Sequence, residues 1–97
     1  RILTEHGTDA RAPLAALTLG RIQLKSLGSP AAAATAIQRA IGLGVPAGLA
    51  EDAYGLLVEA RAKAGDAAGA RAAYADFVAR FPGSARAAEL RRWVPDP

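Results

Sequence analysis

The side chains able to do chemistry in this 97-residue chain are few and poorly placed for it. His6 is the only histidine. It stands beside an expected helix end, before Gly7, with no nucleophile or second acid in register, and reads as a solvated or helix-terminus histidine. Ser26, Ser29 and Ser84 fall at helix ends, where capping is the simplest role for the last two. Glu51 and Asp52 are adjacent, so on a helix they diverge by about 100° rather than converging as an acid–base pair. Gly42-Leu43-Gly44 lacks the third glycine and the preceding strand of a dinucleotide loop. With no Cys in the chain, disulfides, thiolate zinc sites and thiol catalysis are excluded. These residues predict no catalytic site, no metal and no cofactor.

Composition narrows the remaining classes. The net charge is +3, and the basic residues are spread out apart from a cluster at Arg86, Arg91 and Arg92. No lysine–arginine stripe alternates with stacking aromatics, so a nucleic-acid role is not expected. No apolar run approaches the ~20 residues of a membrane span, which predicts no membrane insertion. Alanine fills 26 of the 97 positions while Phe, Tyr and Trp together fill five. Alanine is the strongest helix former, and a core made of it needs helices in close contact. One small all-α domain is the expected fold class.

Stop and start signals divide the chain into helices. Residues 1–6 read as the last turns of a helix closed by Gly7, with Thr8 or Asp9 capping the next. A helix is expected over 10–27, with Leu14, Leu17, Leu19, Ile22, Leu24 and Leu27 as its apolar positions. Gly28-Ser29-Pro30 closes it and opens another: glycine ends, serine caps, and proline takes a first-turn place that needs no N–H. That second helix is expected over 30–41, followed by a loop at 42–46. A third is expected over 47–64. Gly65 ends it and Asp66 caps a fourth over 67–80. Phe81-Pro82-Gly83-Ser84 is a further stop-start signal, a last helix is expected over 85–93, and 94–97 reads as a tail at the domain edge.

Two helix pairs then fall into register. Gly28 lies over Gly65, Ala33 over Ala70, Ile37 over Tyr74 and Ala40 over Phe77, each 37 residues apart. Leu19-Gly20 lies over Leu57-Val58 at 38, so one unit carries a single-residue insertion. Ala10-Arg11-Ala12 recurs as Ala85-Arg86-Ala87. The organisation expected is a half-unit over 1–9, units over 10–46 and 47–84, and a closing helix over 85–93, within a piece of a longer protein. A helical hairpin cannot bury its own apolar face, and stacked hairpins can.

Residues 51–84 resemble a tetratricopeptide repeat. Tyr54 matches the aromatic near the start of its first helix and Leu57 the large aliphatic. Ala70 matches the alanine after the turn, Tyr74 the following aromatic and Pro82 the closing proline. Val58 and Arg61 depart from the usual glycine and tyrosine. In the first unit Leu19-Gly20 and Ala33 fit, whereas Ala16 and Ile37 replace the aromatics. The resemblance implies a right-handed stack of antiparallel helix pairs with a C-terminal capping helix. Phe81-Pro82-Gly83-Ser84 with Ala87-Ala88 is similar to repeat units of bacterial envelope proteins such as the Tol-Pal coordinator. Glu51-Asp52-Ala53, residues 64–71 and Arg91-Arg92-Trp93 resemble the C-terminal repeats of FecR-like sigma-factor regulators. Both imply a periplasmic or envelope setting, with the cytoplasm left open.

In such a stack the first helices line an inner groove that suits an amphipathic helix or extended peptide of a protein partner. The expected lining is Leu14, Leu17, Arg21, Leu24 and Lys25 from the first unit and Asp52, Gly55, Glu59 and Lys63 from the second. Leu14 and Leu17 have an alternative place, packed on residues 1–6 or on a preceding unit. Tyr54, Tyr74 and Phe77 are expected in the core. Leu90 and Trp93, three apart, are expected to cover the end of the stack, with a binding role for Trp93 as the alternative. The competing function is a structural unit that self-associates into a homodimer through exposed repeat ends.

Overall fold

The computed structural model describes residues 11–94, and all the regular structure in that span is helical. The elements are α1 (Arg11–Lys25), α2 (Pro30–Leu43), α3 (Ala47–Lys63), α4 (Ala67–Arg80), α5 (Arg86–Leu90) and a 3₁₀ turn (Arg91–Trp93). The half-unit expected over 1–9, with its helix end, His6 and the Thr8 or Asp9 cap, lies outside the described residues, as do 95–97.

The glycine signals set the helix ends. Gly28, Gly44 and Gly65 hold φ values of 62°, 98° and 84°, the left-handed region that favours glycine. α1 stops at Lys25, two residues before the expected end, because its last turn widens: Leu27 N–H donates to Ile22 O, five residues back, at 3.0 Å. α2 runs two residues past the expected Ile41. Gly44, not Gly42, turns left-handed, and its N–H closes on the Ala40 and Ile41 carbonyls. α4 has the expected bounds, with the Asp66 carboxylate accepting from Gly69 N–H at 2.8 Å. Ser29 does not cap as expected, since its side chain makes no such bond; Pro30 in the first turn of α2 removes one of the orphan donors. The expected 85–93 helix is shorter, breaking into α5 and the 3₁₀ turn.

Short connections fold α1 back on α2 and α3 back on α4, and α2 packs on α3 to join the two pairs. α5 closes on α3 and α4. The two turns show where the single-residue insertion sits. Ser29 N–H donates to Gln23 O across six residues, and its counterpart Asp66 N–H donates to Arg61 O across five. The extra residue is therefore in the wide last turn of α1. Burial recurs at the same spacing: Ala33 with Ala70, Ala36 with Ala73, and Ala40 with Phe77 are all buried.

The core is mostly small side chains around Phe77, Ile37, Val58 and Leu57. Tyr54 and Tyr74, expected in the core with Phe77, pack against it but stay half-buried. Their hydroxyls explain this, because a buried phenol needs a partner. Tyr74 donates to the Ala87 carbonyl at 3.3 Å, at the edge where α5 arrives. The Tyr54 ring leans on Phe81, centroids 5.9 Å apart, with the Arg80 guanidinium 4.8 Å from its centre.

Candidate functional site

α1, α3 and the C-terminal segment together enclose a groove of about 630 Å³. On helices, residues three and four apart share a face. Arg21 and Lys25 therefore project together from α1, and Asp52, Gly55, Leu56, Glu59 and Lys63 from α3. Arg86, Glu89 and Leu90 of α5, then Arg92 and Trp93, close the far side. A Cβ built on Gly55 would meet Leu90 and Phe77 at 3.6–3.8 Å, ordinary van der Waals contact, so α5 packs directly over this position.

Two carboxylates organise the charge. Asp52 is bracketed by Arg21 of α1 and by Arg86 of α5, the latter at 3.1 Å. Glu59 accepts from Lys25 Nζ and Lys63 Nζ, each at 2.9 Å. Burial pushes the Glu59 carboxyl up, but the hydrogen bonds and charges of Lys25 and Lys63 outweigh it and hold the group below its ordinary value. Above the floor, Trp93 lies 5.1 Å from Lys63 Nζ and 5.0 Å from the Arg92 guanidinium, both over its ring. The groove lining carries five cations and three carboxylates, an excess of two positive charges.

Arg21, Lys25, Asp52, Glu59 and Lys63 thus come together as expected, along with Gly55. The leucines do not. Leu17 and Leu24 are 3% and 4% exposed and belong to the core. Leu14 is half-buried and does not line the groove. The α1 helix presents Arg21 and Lys25 to α3 and turns Leu17 and Leu24 inward, so their expected role as groove contacts is corrected to packing. Arg86 had a sequence signal only as part of a basic cluster, and its partner Asp52 lies 34 positions away, beyond any local pattern. Leu90 is buried and Trp93 half-buried against the core, and Trp93 also lines the groove.

Among the described residues no group of three His, Cys, Asp or Glu side chains could hold a metal ion. No described helix is long and apolar enough to cross a membrane. No protein-family model matches the chain, and neither the curated proteins nor the solved structures give a significant match.

Proposed function

We propose that this chain is a non-catalytic protein–protein interaction module of the tetratricopeptide type, which holds a peptide or helix of a partner in the α1–α3–α5 groove. The observation that carries this reading is the lining itself: an apolar floor of Leu56, Leu90 and Trp93 framed by ion-paired side chains with a cationic excess. Asp52 and Glu59 are each engaged by two cations, and Glu59, held below its ordinary value, is suited to orienting charge rather than to donating a proton. A partner segment with one large apolar anchor and flanking carboxylates fits this frame. Burial of the anchor supplies affinity, and the cations supply register and rate.

The test uses two synthetic amphipathic peptides, alike in their leucines but carrying Glu in one and Lys in the other, followed by Trp93 emission. The acidic peptide should bind saturably, weaken with added salt, and lose most of its affinity against the Arg92→Glu variant. Equal binding of both peptides, or binding indifferent to Arg92→Glu, would remove this reading.

The resemblance of residues 81–84 with 87–88, and of residues 51–53, 64–71 and 91–93, supports assigning the module to a periplasmic or envelope protein of Tol-Pal-like or FecR-like kind. Recovery of the native protein in a cytosolic fraction would overturn that placement.

A further inference from the structure

The C-terminal segment is held by a different kind of contact from the helices before it. α1 to α4 are joined through buried side chains, among them Ile37, Leu57, Val58 and Phe77. From Arg86 to Val94 only Leu90 is buried, while Ala87, Trp93 and Val94 pack half-buried against the core. The main-chain hydrogen bonds at the two ends of this stretch stay local. Ala87 N–H donates to Ser84 O at 3.3 Å and Val94 N–H to Arg91 O at 3.0 Å. The bonds that cross to other helices, among the described residues, all use a side chain. Arg86 Nη1 donates to Asp52 at 3.1 Å, and the Tyr74 hydroxyl donates to the Ala87 carbonyl at 3.3 Å.

These contacts fall in order along α3. Arg86 meets Asp52, Leu90 lies over Gly55, and the Trp93 ring centre stands 5.1 Å from Lys63 Nζ. Asp52, Gly55, Glu59 and Lys63 are three or four residues apart and share one face of α3. The segment therefore runs lengthwise over the charged groove, pinned at its start, middle and end. Exposed Pro82 and Gly83 precede it. A piece held by one buried side chain and by charges that salt screens opens at less free energy than the core beneath it.

We propose that residues 86–94 form a strap that opens and closes as one unit while α1–α4 stay folded, and that the groove is complete only while the strap is closed. Leu90 and Trp93 belong to its apolar floor, and Arg86 and Arg92 to its cations. Opening withdraws all four together and leaves Asp52 to Arg21. A ligand that touches both α3 and the strap binds the closed form and draws the equilibrium toward closure. This last step rests on the interaction role given to the groove; the opening itself does not.

Native-state amide exchange on the isotope-labelled full chain tests the strap without any ligand. The amides of Ala87, Arg91 and Val94 should share one opening equilibrium, about tenfold or more above that of Val58 in the core. Arg86→Gln should raise all three about twofold to fivefold, the size of a partly exposed ion pair. Leu90→Ala should raise them about thirtyfold or more. Ile37→Val, in the α1–α2 core away from the strap, should speed Val58 about threefold or more and leave the three strap amides as they were. The Glu-bearing amphipathic peptide, at about ten times its dissociation constant, should slow those three about tenfold. The strap is overturned if opening grades from Val94 inward, which is fraying of an end. It is overturned if the three amides follow Val58 in Ile37→Val, or if Arg86→Gln and Leu90→Ala leave them unchanged. Peptide binding that does not slow them overturns the coupling to the groove. A peptide that does not bind counts against the groove reading alone, because exchange in the free protein decides the strap.

Discussion

Gly20 and Ile37 pack so closely that no side chain fits between α1 and α2 at their crossing. A Cβ on Gly20 would stand 2.5 Å from Ile37 Cγ1 and 3.3 Å from the Ala33 carbonyl oxygen. Ile37 is fully buried and has no room to withdraw.

Replacement of Gly20 by Ala sets about 1–3 kcal/mol of overpacking against about 1 kcal/mol of helix propensity. The expected outcome is a net loss of about 1 kcal/mol in urea unfolding. Gly42→Ala is the control. It is also helical, nothing lies within 4 Å of its would-be Cβ, and it should gain about 0.5 kcal/mol. A stabilised Gly20→Ala variant would disprove the close crossing.

Leu17→Ala and Leu24→Ala should each cost about 2–5 kcal/mol, because both side chains are buried among α2 and α3 residues. Against the roughly 5–15 kcal/mol that a small domain has in total, Leu17→Asp should leave no cooperative unfolding transition. A Leu17→Asp protein with native circular dichroism would return that residue to the surface.

Glu59 links stability to pH. Its folded carboxyl titrates below the ordinary value of 4.5, so the folded state binds its proton less readily than the unfolded chain. That contribution is present above the unfolded value and is lost as pH falls through the folded one. The Glu59→Gln variant should be about 1 kcal/mol less stable at neutral pH and should lose less on acidification than the parent. Urea midpoints of the two proteins that fall in parallel from neutral pH to about pH 3 would refute the coupling.

The two helix-start residues should part company. Asp66→Ala removes a formed bond to Gly69 N–H and should cost about 1 kcal/mol. Ser29→Ala removes no capping bond and should change stability by less than about 0.5 kcal/mol. Thermal melts of both variants decide it, and equal losses would mean that Ser29 does cap in solution.

The all-α class and the start of every helix from α2 to α4 were legible in the sequence, because Pro30, Pro46 and Asp66 act on their own backbone and need no distant partner. So were Gly28 and Gly65 as the glycines that close α1 and α3, and the alanines at positions 33 and 70, whose spacing recurs along the chain. Helix ends were read less well: whether Gly42 or Gly44 turns left-handed, and that α1 ends in a wide turn, depends on how each hairpin closes.

The groove divides along the same line. Period alone placed Arg21 and Lys25 on one face of α1 and Asp52, Glu59 and Lys63 on one face of α3, since a helix fixes its own angles. It could not decide which side of α1 meets α3, so Leu17 and Leu24 were expected in the groove and are in the core. Nor could it bring Arg86 to Asp52 or Trp93 over Lys63, contacts that exist only because α5 folds back onto α3. Local backbone chemistry determined the elements. Packing at sites such as Gly20 against Ile37, where contact distance depends on both helices at once, decided which faces are buried and which are left open.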